Sequence, residues 1–146
     1  MCYSWPVVEI SAQPARVEAL RAVPLLADLS DDALVRLASV ATEVEVPAGF
    51  VLVRAGDDAT GMFLVEEGSV AVELPGGKTF TLGQGEFFGE LALLVEGLHR
   101  TARVRAATPL RCIAIARADV ARLLEEEPGI ALSMLRVLAA RLAERE

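Results

Sequence analysis

The residues that could do chemistry lie in one stretch near the middle of the chain. Gly85-Glu86-Phe87-Phe88-Gly89-Glu90-Leu91-Ala92-Leu93-Leu94 is followed by Val95-Glu96-Gly97-Leu98-His99-Arg100-Thr101-Ala102. This reads as a glycine turn, a short helix from Glu90 to Val95, a second glycine, and a strand that opens on Arg-Thr. A helix N-terminus carries unpaired N–H groups and partial positive charge, which suits an anion. Gly89 has no Cβ, so the backbone there can approach a ligand closely. Arg100 could offer a two-pronged fork to a phosphate. Glu90, acceptor-only when ionised, could take hydrogen bonds from a sugar hydroxyl. These parts suffice for a singly charged sugar phosphate. They do not suffice for a triphosphate, because the only lysine, Lys78, sits on the preceding hairpin. On its own such a pattern is weak, since an exposed Glu–Arg pair is worth little as an ion pair.

The elements that must position these residues change period along the chain. Residues 1–14 form a loose lead-in with Pro6 and Pro14, and a single domain is expected over 15–146. Ala15 to Leu26 is spaced helically but broken at Pro24. Ser30-Asp31-Asp32 opens a second helix, with Ser30 as its N-cap and Leu34, Leu37, Val40 and Ala41 on one face. Then Val44, Val46, Val51, Val53, Phe63, Val65, Val70 and Val72 alternate with polar or small neighbours, which predicts half-buried strands. Turns at Pro47-Ala48-Gly49, Gly56-Asp57-Asp58, Gly68, Pro75-Gly76-Gly77, Gly83 and Gly85 separate them, as in an antiparallel barrel or sandwich. Strands near Thr101 to Ala106 and Leu110 to Ala116 come next. The end is helical, Ala118 to Glu126 and Ile130 to about Arg145, with a break at Pro128-Gly129.

Composition narrows the function. The chain has 146 residues, 53% of them hydrophobic, which is enough for a core without disulfide staples. Fourteen basic residues against 21 acidic give a net charge of −7, which opposes nonspecific nucleic-acid binding. Cys2, Cys112 and the lone His99 do not make a metal-ligand pattern. Both cysteines are expected to be free thiols. No apolar run is long enough to span a bilayer and the N-terminus has no leader pattern, so a cytoplasmic protein is expected. No Ser–His–Asp set is available, so no enzyme activity is expected.

The run Phe88-Gly89-Glu90-Leu91-Ala92-Leu93, with Arg100-Thr101-Ala102-Arg103-Val104-Arg105-Ala106 beginning ten residues after Glu90, resembles the phosphate-binding cassette of the cyclic-nucleotide-binding domain family. That family includes the bacterial cyclic AMP receptor protein, kinase regulatory subunits and nucleotide-gated channels. Pro47-Ala48-Gly49-Phe50 to Gly56-Asp57 and Met62-Phe63-Leu64-Val65 to Gly68-Ser69-Val70 resemble its strand and turn pattern.

The resemblance implies a mainly β fold, a jelly-roll-like antiparallel β-roll of eight strands. N-terminal helices, a short cassette helix and two C-terminal helices would flank it. It implies Glu90 on the ribose 2′-hydroxyl and Arg100 on the cyclic phosphate, with backbone N–H groups near Gly89, Leu91 and Ala92 assisting. Thr101 would lie near the phosphate or purine, Val104 against the sugar or base, and Leu142 of a movable final helix over the base. Ile130, Met134, Leu135, Leu138 and Leu142 are spaced to form one apolar stripe on that helix, with Pro128-Gly129 as its hinge. Arg103 and Arg105 should point away from the Val104 face. His99 and Ala92 depart from some relatives without threatening phosphate binding.

The implied ligand is cyclic AMP or cyclic GMP, with no further cofactor. The chain carries no recognisable DNA reader, which leaves an effector domain or protein outside it, or a homodimer, as partners. A docking or oligomerisation module of the same shape is the alternative. DNA binding is the weakest of the three readings.

Overall fold

The computed structural model describes residues 13–56, 61–89 and 102–145. The first helix, α1, spans Gln13–Arg21, two residues earlier than its apolar spacing suggests, and Pro24–Leu26 makes a separate 3-10 turn. The break falls where expected, because Pro24 cannot donate a backbone hydrogen bond. Helix α2, Asp31–Val40, is capped by Ser30, whose Oγ accepts from the Ala33 N–H at 3.2 Å. Its buried face is Ala33, Leu34, Leu37 and Ala38. Val40 was expected on that face and is 40% exposed. Six residues beyond Leu34, it stands about 120° round the helix from it.

Among the described residues eight strands come next: β1 (Thr42–Val46), β2 (Val51–Val53), β3 (Gly61–Glu67), β4 (Val70–Glu73), β5 (Thr79–Leu82), β6 (Phe87–Phe88), β7 (Arg103–Ala106) and β8 (Leu110–Ala116). They form two four-stranded antiparallel sheets, ordered β1-β8-β3-β6 and β2-β7-β4-β5. Two helices close the chain, α3 (Arg117–Glu126) and α4 (Pro128–Arg145).

The two sheets face each other across one apolar cluster that includes Val44, Val46, Val53, Phe63, Val65, Val70, Val72, Phe88, Val104 and Cys112. Most of the alternating valines are therefore the interior of the roll. The first sheet also carries the helices on its outer face, where Met62, Leu64, Phe87, Ile113 and Ile115 meet Leu20, Leu26, Leu34, Leu37, Val120, Ile130 and Met134. Strands β3 and β8 are thus buried on both faces. Their sequences, Met62-Phe63-Leu64-Val65 and Cys112-Ile113-Ala114-Ile115, are unbroken apolar runs for that reason.

At Gly68, between β3 and β4, φ is +95° and a Cβ would stand 2.4 Å from the Pro109 carbonyl oxygen. Only glycine fits that turn. Cys112 is a buried free thiol, and burial pushes its pKa up to about 12, so it stays protonated at neutral pH.

Candidate functional site

Strand β6 is two residues long and lies at the edge of the first sheet, paired with β3 through Phe63 opposite Phe88 and Leu64 opposite Phe87. Successive side chains of a strand point to opposite faces. Phe88 accordingly enters the roll and stacks on Phe63, with ring centroids 4.9 Å apart and planes 12° from parallel. Phe87 turns outward into the helix-side cluster. The chain then reaches Gly89, whose φ of 86° lies in the region that side-chain-bearing residues avoid. Two aromatic anchors on opposite faces therefore fix the strand that delivers this glycine.

Opposite, Val104 is 3% exposed and sits in the middle of the second sheet, beside Val53 on β2 and Val72 on β4. Its neighbours Arg103 and Arg105 point the other way, as their alternation predicts, and share Glu73 at 2.9 and 3.7 Å. Apolar side chains make up the roll interior. It can offer van der Waals contact to a sugar or base, but a phosphate there would need its polar partners from elsewhere.

The family model for the cyclic nucleotide-binding domain matches residues 43–127, from β1 through α3. The chain belongs to that family. A cyclic nucleotide-gated potassium channel of Mesorhizobium japonicum is 41% identical over 110 residues, which is 75% of this chain and 30% of the channel. The catabolite activator protein of Thermus thermophilus is 31% identical with a TM-score of 0.70, over 84% of this chain and 59% of that one. A cAMP-bound PfPKA-R superposes with a TM-score of 0.77 at 22% identity, covering 88% of this chain and 45% of that chain, a likeness of fold. The chain spans less than a third of the length of the curated relatives it matches first.

Of the expected site residues in this cyclic nucleotide-binding domain, Gly89 and Val104 stand at the edge and the wall of the roll. Glu90, Leu91, Ala92, Arg100 and Thr101 lie outside the described residues, as does the expected cassette helix. Leu142 is 60% exposed, and Leu135 is exposed too, so the expected stripe on α4 is not one packed face. The residues of α4 that face the body of the domain are Ile130 and Met134, with Leu138 packed partly against them. At a helical pitch of 3.6 residues, Leu135 and Leu142 turn well away from that line. The break between α3 and α4 lies at Glu127, whose φ of −130° and ψ of 73° leave the helix. Pro128 and Gly129 already belong to the first turn of α4.

Two features went unread in the sequence. One is Arg141, which continues the packed face of α4. Its Nη2 donates to the Phe87 carbonyl oxygen at 2.7 Å, and its guanidinium lies 4.6 Å from the Phe87 ring centroid. The signal was present, as a cation at the end of the Ile130, Met134, Leu138 spacing.

The other is a cluster on the outer face of the first sheet. Arg111 on β8 reaches Glu43 at 3.3 Å, Glu45 at 3.8 Å and Glu67 at 3.5 Å. The β3–β8 register shifts between Val65 and Glu67, so Glu66 is an extra, bulged residue. Burial raises the Glu66 pKa and the charge of Glu43 adds to the effect, while Arg111 opposes it. Glu66 Oε2 is buried without a hydrogen-bond partner among the described residues.

An acid whose pKa is raised by folding contributes stability when protonated. That contribution is present below its unfolded value and is lost as pH rises through the folded one. At neutral pH the Glu66 carboxyl therefore works against the fold. Glu66→Gln is expected to raise the denaturation midpoint at pH 7 and to gain nothing below about pH 4. A lower midpoint at pH 7 in the variant would show that the carboxylate is stabilising instead. Among the described residues no group of acidic, His or Cys side chains could hold a metal ion, and no helix is long and apolar enough to cross a membrane.

Proposed function

We propose that the domain is a sensor that binds a 3′,5′-cyclic nucleotide and does no chemistry on it. The observation that carries this reading is Gly89. It sits at positive φ at the end of an anchored edge strand, beside an apolar roll, and opens directly onto the segment that holds Glu90 and Arg100. Arg100 would pair with the cyclic phosphate, Glu90 would accept from the ribose 2′-hydroxyl, and N–H groups from Gly89 to Ala92 would complete the phosphate cradle. Val104 supplies part of the apolar wall. The buried thiol of Cys112 is in keeping with a reducing, cytoplasmic setting. The output would pass to an effector segment or protein, in keeping with relatives more than three times as long as the matched segment.

Titration calorimetry and thermal shift with cyclic AMP and cyclic GMP test the reading directly. Binding of either supports it. No heat and no shift with either at millimolar concentration would leave a docking or oligomerisation module. Cyclic AMP is expected to bind, with cyclic GMP accommodated and weakly discriminated. On the family resemblance the Thr101 hydroxyl would meet the guanine amino group, so Thr101→Ala should weaken cyclic GMP more than cyclic AMP. Equal losses for the two nucleotides would show that the hydroxyl does not read the base.

A further inference from the structure

We propose that Arg141 latches the end of α4 to the strand that leads into Gly89, so that the position of the helix and the shape of the nucleotide-binding turn are set together. The proposal rests on the cyclic-nucleotide reading for what the turn binds, but the latch itself is a contact between two residues of this chain.

Arg141 makes two different contacts with one residue. Its Nη2–H donates to the Phe87 carbonyl at 2.7 Å and its guanidinium carbon lies over the Phe87 ring, 4.6 Å from the centroid. The first fixes the peptide plane between Phe87 and Phe88, and the second fixes the side chain. A planar guanidinium can donate from its edge while its face covers a ring, which an ammonium cannot do.

The carbonyl it holds is one the sheet leaves over. The Val65 N–H bonds to the Glu86 carbonyl, and successive carbonyls along a strand point to opposite sides, so that of Phe87 points away from β3. On an edge strand such a group needs another partner. Here the partner comes from the far end of the chain.

The placement on α4 makes the latch matter. Ile130 and Met134, the fully buried residues of the helix, are in its first two turns. Arg141 lies seven residues past Met134, about 10 Å further along the axis. Leu138 is only partly buried in between. Among the described residues the last turns are therefore held chiefly through Arg141, and Arg141 holds them to a strand that ends one residue before Gly89. Glycine at φ 86° passes a small rotation of the preceding peptide into the next segment without a Cβ penalty. If a ligand engages the turn in its latched form, it must also favour the docked helix by the same free energy, because such coupling is reciprocal.

The test uses the full chain with Arg141→Gln and Arg141→Lys. Amide exchange is read without nucleotide at residues 87–89 and 138–144, and cyclic AMP affinity is measured alongside. Arg141→Gln should speed exchange in both segments, and should weaken cyclic AMP by about three- to tenfold, the scale of one lost hydrogen bond. Arg141→Lys keeps the charge but not both contacts, and should fall between. Should the glutamine variant fail to fold, the lysine variant carries the test by the same criteria.

Faster exchange confined to 138–144, with 87–89 unchanged, would overturn the latch. So would an unchanged affinity in a variant of a protein that does bind. If the unmodified chain binds no cyclic nucleotide, the ligand reading fails and the ligand-free exchange alone decides the latch.

Discussion

Arg100→Ala is expected to weaken cyclic-nucleotide binding by about ten- to a thousandfold while leaving the thermal melt of the ligand-free protein unchanged. A charge-assisted contact is worth roughly 1.5–3 kcal/mol. Leaving the phosphate partly unpaired in an apolar-walled roll raises the loss toward ~3–5 kcal/mol. At tenfold per ~1.4 kcal/mol this spans the stated range. The described surroundings supply no obvious substitute. The roll interior is apolar, and Arg103 and Arg105 point away from it and already share Glu73. Lys78 stands on the β4–β5 hairpin and is exposed. Titration calorimetry on the variant decides the matter, and a dissociation constant equal to that of the unmodified chain would remove Arg100 from the phosphate.

Much of the architecture was legible because its causes are local. Ser30 caps α2 where a short polar side chain precedes two acids, and the alternating valines line the roll because a strand has period two. The features that escaped reading depend on contacts between residues distant in sequence. Glu66 looks like an ordinary exposed glutamate until the bulge places it near Glu43 and Arg111, 45 residues away in the case of the arginine. Arg141 looks like one more surface cation until α4 is laid on Phe87, 54 residues upstream.

Leu135 and Leu142 failed for a different reason. A helix whose two faces both carry leucines has no single stripe, and spacing alone could not show which face the body of the domain takes. Leu132, Leu135 and Leu142 are left on the exposed side, and Ile130 and Met134 on the packed one. The family motif was legible, through Gly89, Glu90 and Arg100, of which the structure describes Gly89. The anchoring of its first residue by stacked Phe88 and latched Phe87 was not.

That division of α4 sets the expected results of shortening the chain. Truncation after Pro128 removes Ile130 and Met134 from the helix-side cluster they share with Leu20, Leu26 and Leu34. At about 1.5–3 kcal/mol for each buried side chain, the cost is about 3–6 kcal/mol of folding stability. That is a large part of the roughly 5–15 kcal/mol typical of a domain, so a marked fall in the denaturation midpoint is expected.

Truncation after Ala140 keeps both anchors and removes only residues 141–146. Its midpoint should stay close to that of the full chain. Its cyclic AMP affinity should nevertheless fall several-fold, because both Arg141 and the apolar surface of Leu142 are gone. Leu142 is 60% exposed, so a helix that moved onto a bound base would have that surface to bury. Burial gained only with ligand present is the differential free energy that a ligand-driven shift requires. The pair of truncations thus separates the helix as part of the core from the helix as part of the site. A chain ending at Ala140 that binds cyclic AMP as tightly as the full one would assign α4 to the core alone.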